Sequence, residues 1–144
     1  MRRRVALTAL CGALAMARFA PPSRSATPVD QERAMAVLPA VKRTIVDVTR
    51  YVDADLTLKF QANQFFVTVI NSALNKSPSL QREGEASKMV TAIVRAIAGK
   101  PEFQSVLGIH IDYVARSADG SHTDVVDAID FRKDPAGRFV HHTT

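Results

Sequence analysis

The clearest hydrophobic pattern lies in the second half of the chain. Ala86, Met89, Val90, Ile93, Val94 and Ile97 recur three and four residues apart, while Glu85, Lys88, Thr91 and Arg95 face mostly away. Ser77-Pro78 ahead of the stripe supplies a cap and a first-turn proline, and Gly99 and Pro101 behind it are stop signals. This spacing predicts a helix. An earlier run, Met35, Val37, Leu38, Val41, Ile45 and Val48, has near-helical spacing too. Thr27 and Pro28 suit its start, with Asp30 in the first turn. Pro39 within it is expected to kink the helix or split it in two, because proline lacks the amide that a helix interior uses.

Between the helices the period changes from 3.6 to 2. Leu56, Leu58 and Phe60 alternate with Thr57 and Lys59, which predicts a strand. Gln61 to Gln64 reads as a turn. Phe65-Phe66-Val67-Thr68-Val69-Ile70 then predicts a strand with apolar residues on both faces. Such a strand is either central and covered on each side, or an edge covered by a partner. Its composition is also that of an aggregation-prone segment, so strand-edge self-association is an option. Asn71 to Ser79 reads as a loop.

Two further strands are expected over Val106–Arg116 and Val125–Arg132, joined through Ala118-Asp119-Gly120 as a three-residue turn with Gly120 left-handed. That register sets Ile109 opposite Ile129 and Ser117 opposite Ser121. It gathers Ile109, Ile111, Tyr113, Val125, Ile129 and Phe131 on one face. His110, Asp112, Arg116, His122 and Asp124 share the other, with Arg116 across from His122. Asp134 to Gly137 is a turn, and Arg138–His142 a last short strand. The order α-β-β-α-β-β-β predicts an α+β domain. Its sheet is mixed or mostly antiparallel, with four to five strands, and the N-terminal helix and a central crossover helix pack on it.

The first residues follow another logic. Met1-Arg2-Arg3-Arg4 precedes a short apolar run, Val5 to Ala17, with small residues at Ala15 and Ala17. A basic start, a short apolar stretch and a small-residue exit are the parts of a secretory signal. Residues 1–17 are read as that signal, with a cut after Ala26 as the alternative. Residues 18–27 are a flexible leader, and 28–144 a single domain. The run is too short to span a bilayer, which takes roughly 20 apolar residues. Twin-arginine export fits less well, because the residues after Arg3-Arg4 do not complete that motif. Lipoprotein processing at Cys11 fits poorly too, since Leu10 is large for its cleavage site. The expected location is periplasmic or secreted.

This reading changes what composition means. Cys11 is the one cysteine of the 144-residue chain, and it would leave with the signal. The mature domain would then have neither disulfide nor thiol nucleophile. Three arginines of the net +5 would leave as well, and the remaining excess of about +2 is scattered. No basic stripe or fold motif argues for nucleic acid. With no tryptophan, an aromatic sugar-binding platform is disfavoured.

Few residues suggest chemistry. There is no glycine-rich phosphate loop, nucleophile elbow or His-Glu-x-x-His sequence, so neither cofactor nor metal is expected. His110 and His122 with a carboxylate form a conceivable metal set, but they lie about six residues apart along the hairpin, at ~3.3 Å per residue. His141 and His142 are neighbours near the C-terminal end and point oppositely on a strand. Asp127 falls on the apolar face beside Tyr113. A carboxylate there has a raised pKa or needs a partner, and it marks a strand end, an ion pair with a helix, or a general acid or base. The favoured function is a non-enzymatic binding or interaction module. Its partner would be a protein, an envelope component or an apolar ligand held near Phe65, Val67, Met89, Ile93, Ile111 and Tyr113. The alternative is a small hydrolase or metal-dependent enzyme using Asp127, Asp130, His110 and His122. An enzyme requires these groups to converge in a concave pocket. A binding module requires an apolar patch, an uncovered strand edge or a helix–sheet cavity.

Overall fold

A computed structural model describes residues 28–143, with side chains from 31 onward. Residues 1–17 and 18–27, expected as signal and leader, lie outside the described residues. The chain forms α1 (Pro28–Thr49), β1 (Leu56–Gln61), β2 (Gln64–Ile70), α2 (Ser79–Ile97), β3 (Gly108–Arg116), β4 (Thr123–Lys133) and β5 (Phe139–His142). The five strands make one sheet in the order β1-β2-β3-β4-β5. Only β2 and β3 run parallel, because α2 carries the chain back between them; the other neighbours are antiparallel. The fold is therefore α+β with a mixed sheet, in the element order that the hydrophobic pattern predicts.

Both helices cover the same face of the sheet. Ala34, Leu38, Val41 and Ile45 of α1 and Ala86, Met89, Val90, Ile93 and Ile97 of α2 join alternate strand residues in one core cluster. Phe65, Val67 and Val69 of β2 and Ile109, Ile111 and Tyr113 of β3 form its floor. Burying each such large apolar side chain is worth about 1.5–3 kcal/mol. Phe60, Phe65 and Phe103 pack with ring centroids 4.9–5.4 Å apart at the β1 end of this core. Among the described residues, no helix covers the other face of the sheet. β2 is an interior strand, paired on both sides, so it cannot serve as an association edge.

Several details depart from the sequence pattern. α1 is one helix through Pro39, which is exposed, so the run is not split in two. Met35 and Val48 are largely exposed, and Ala34 takes the buried position instead. In α2, Val94 is exposed and Ala92 is buried. α2 starts at Ser79, with Pro78 at the cap position and no side-chain cap. The Ser77 carbonyl there accepts from Arg82 instead. The connection after β2 contains a 3-10 turn, Ala73–Lys76, capped by Ser72, whose hydroxyl accepts from the Leu74 amide at 3.1 Å. The β1–β2 turn holds Ala62 and Asn63, both left-handed (φ 50° and 61°), as a two-residue type I′ hairpin requires.

The β3–β4 register differs most. Ile109 pairs with Phe131, Ile111 with Ile129 and Tyr113 with Asp127; after an irregularity, Val114 pairs with Val125 and Arg116 with Thr123. Val126 is the extra residue of a β-bulge. The loop has four residues, closed by the Ser117 amide on the His122 carbonyl at 3.0 Å, with Gly120 left-handed (φ 71°) as expected. A one-residue insertion flips every side chain beyond it. Val125 therefore leaves the core face and is exposed, and His122 and Asp124 do not share the face of His110.

Candidate functional site

Polar side chains of the β3–β4 hairpin meet partners on both faces of the sheet. Under α2 the key residue is Arg82. It lies one turn before Ala86 on the buried stripe, so its side chain points to the sheet, and only 7% of it is exposed. Its Nε donates to Asp127 Oδ2 at 2.8 Å. Its Nη1 donates to the Leu74 carbonyl at 2.9 Å and to that of Ser77. Ser79 Oγ lies 3.1 Å from the same Asp127 oxygen. Partial burial alone would raise the Asp127 pKa, but the hydrogen bonds and charge of Arg82, with Ser79, carry it below the usual carboxylate value. Asp127 is thus a helix-paired carboxylate, not a group poised to exchange protons near neutrality.

One turn further along α2, Glu85 turns inward rather than away. Its Oε2 accepts from the hydroxyl of Tyr51 at 2.7 Å and of Tyr113 at 2.9 Å. The Ser72 hydroxyl lies against that of Tyr51. Tyr51 has one proton and gives it to the carboxylate, so Ser72 donates to Tyr51. Burial raises the pKa of both tyrosines, and the Glu85 carboxylate raises them further, so both stay neutral donors. Tyr113 therefore bonds Glu85 and not Asp127. This network joins the segment after α1, the loop after β2, α2 and β3. Nearby, Asn75 donates to the Val114 carbonyl at 3.0 Å, while its Oδ1 is buried without a hydrogen-bond partner.

On the uncovered face, His110 lies between two carboxylates. Nδ1 is 2.8 Å from Asp130, its direct cross-strand neighbour, and Nε2 is 2.9 Å from Asp112, two residues along β3. Partial burial lowers the pKa of the ring, but the hydrogen bond to Asp130 and the charges of both carboxylates outweigh it and the pKa is raised. The ring of Phe66 stands 5.8 Å away, centroid to centroid. Both nitrogens are engaged, so the imidazole has neither lone pair nor N–H to offer a substrate. His122 pairs separately with Asp124 at 2.9 Å, fully in solvent. His141 stacks near Phe131 at 5.5 Å, and His142 lies across β5 from Asp130. Among the described residues no group of three His, Cys, Asp or Glu side chains is arranged to hold a metal ion.

Of the four polar candidates, only His110 and Asp130 come together. Asp127 is on the opposite face, and His122 is at the hairpin tip. Sequence reasoning missed Asp130 as the partner of His110 because the register is shifted by two residues, one from the four-residue loop and one from the bulge. It missed Arg82 although the i, i+4 relation to Ala86 was there to be read. Phe65, Val67, Met89, Ile93, Ile111 and Tyr113 are all fully buried in the core.

An apolar groove occurs elsewhere, along the outer side of α1. It has a volume of about 640 Å³ and is lined by Met35, Leu38, Pro39, Val46 and Leu58, with Lys42, Arg43 and Asp53 at its rim. Met35 is 54% exposed there. Lys42 and Asp53 form an ion pair at 2.9 Å. Leu58 belongs to β1, which among the described residues pairs only with β2 and so ends the sheet. A smaller groove of about 330 Å³ runs between the outer surfaces of α1 and α2, lined by Thr44, Val48, Lys88, Thr91, Ala92 and Arg95.

No protein-family model, curated protein or solved structure matches this chain. Its function must be argued from its own surfaces. No helix among the described residues is long and apolar enough to cross a membrane.

Proposed function

We propose that this chain is an exported interaction module of the cell envelope that binds an extended polypeptide segment by adding it to β1 as a sixth strand. One observation carries this reading: the unpaired edge of β1 borders the apolar groove lined by Met35, Leu38, Val46 and Leu58. An unpaired edge offers a row of backbone donors and acceptors. Strand addition draws affinity from such a row and specificity from pockets for alternate side chains.

The opposite side of the sheet is less suited. β5 pairs only with Asp130–Lys133, leaving the rest of β4 unpaired on that side. That stretch contains the bulge at Val126 and the carboxylates of Asp124 and Asp127. Bulges and charges are the usual protection of an edge against pairing. β1 has no bulge and one charge, Lys59. The enzyme alternative draws on the meeting of His110 and Asp130, but both ring nitrogens are already held by carboxylates and neither helix-side groove contains them.

Export is supported by the sequence of residues 1–17. Intact mass of the protein from its native host should show loss of about 17 or about 26 N-terminal residues; a full-length product contradicts export. The binding reading is tested by capture from envelope extract followed by amide exchange on the complex. Slowed exchange over Leu56–Gln61, with capture lost in Met35→Glu, supports it. A partner that protects other amides and tolerates Met35→Glu contradicts it.

A further inference from the structure

The charges beside β1 narrow the partner, on the assumption that the strand-addition reading holds. Leu58 pairs with Val67 of the core, so it faces the helix side and the groove; Lys59 pairs with Phe66 and faces the uncovered side. A strand added to β1 alternates in the same way, with one row of side chains entering the groove and the next row meeting Lys59. Lys42 at the groove is neutralised by Asp53. Arg43 at the rim and Lys59 on the strand have no ion-pair partner among the described residues. Lys59 is the one charged residue of β1, and it faces the uncovered side, whereas Arg43 lies on the helix side with the groove.

A second copy of the chain is a poor occupant. Two-fold pairing of β1 with itself brings two Lys59 and two Arg43 side chains to one seam, and like charges across a strand pair are destabilising. A lysine on an edge strand is itself a device against self-pairing. We propose that the partner is a polypeptide segment with alternating acidic and apolar residues. Its apolar row would fill the groove at Met35, Val46 and Leu58, and its carboxylates, on the other face, would meet Lys59.

Three synthetic peptides of about eight residues test this: alternating Glu-Val, Gln-Val and Lys-Val, each followed by fluorescence anisotropy and by amide exchange on the protein. The Glu-Val peptide should bind best and slow exchange over Leu56–Gln61. The Gln-Val peptide should bind about threefold more weakly, the worth of one exposed ion pair, and Lys-Val more weakly still. Raised salt should narrow the gap. Lys59→Glu changes one exposed side chain and should invert the order, favouring Lys-Val.

Equal or better binding of Gln-Val and Lys-Val would overturn the charge inference while leaving strand addition intact. If no peptide slows exchange over β1, and capture from extract also ignores Met35→Glu, both readings fall. A dimer of the protein alone that protects Leu56–Gln61 would overturn the proposal in favour of a second copy.

Discussion

Under α2, Asp127 of β4 meets the guanidinium of Arg82; on the opposite face of the same strands, His110 of β3 sits between Asp112 and Asp130. Both clusters join opposite charges at similar distances, yet burial gives them different consequences. Arg82 is out of water, so each of its contacts must be satisfied within the protein. The Asp-His-Asp row is partly wet, so solvent shares its charge and screens its attraction. The first cluster fastens α2 and the loop after β2 onto the hairpin. The second adds local order to a surface. Neither leaves a side-chain group uncommitted for a ligand, which is why the binding reading moves to the β1 edge.

Removing Arg82 should break this comparison most visibly. Arg82→Met leaves the Asp127 carboxylate and two carbonyls under the helix without their donor, and should cost about 2–3 kcal/mol by urea denaturation, toward the low end for a buried pair because Asp127 is partly exposed. Tyr113→Phe removes one of two phenolic donors to Glu85 and should cost about 1.5 kcal/mol. Combined with Tyr51→Phe, the loss should be non-additive, since both serve the same oxygen. His110→Gln on the wet face should cost less than about 1 kcal/mol. A loss at His110 as large as that at Arg82 would show the two faces to be equally dry and contradict the distinction.

The pH dependences should have opposite signs. Asp127 has a pKa lowered from 3.8, so its pairing contributes fully above that value and is lost as pH falls through the lower folded value. His110 has a pKa raised from 6.5, so its contribution is complete below 6.5 and is lost as pH rises through the raised value. The stability gap between wild type and Arg82→Met should therefore close in acid. The gap between wild type and His110→Gln should close on the alkaline side. Denaturation curves across pH separate the two, and parallel slopes would contradict the assignment.

How much of this was legible in the sequence varied with the kind of signal. Periodicity identified both helices and every strand, because alternation at Leu56–Phe60 and the stripe from Ala86 to Ile97 are direct consequences of burying one face. Asp127 on the apolar face was also legible, and with it the need for a partner. Arg82 was passed over because a cation at the start of a helix reads as exposed, although it continues the stripe of Ala86 and Met89. The bulge was not legible: Val125 and Val126 are adjacent, equally apolar and equally able to face inward. With the extra loop residue it shifted the register by two at His110, hiding the pairing with Asp130, while the loop residue alone shifted the hairpin tip by one and moved His122 and Asp124 to another face. The groove was hidden because Met35 was assigned to the apolar stripe of α1, whereas it lines the groove, and Val46 was not singled out.

The proposed binding surface is the β1 edge with its groove. Amide exchange over Leu56–Gln61, with and without the alternating Glu-Val peptide, tests it most directly. Slowed exchange in those amides is expected, lost in Met35→Glu, with the peptide preference inverted toward Lys-Val by Lys59→Glu. Unchanged exchange over β1, with protection appearing instead around His110 and Asp130 on the uncovered face, would contradict it.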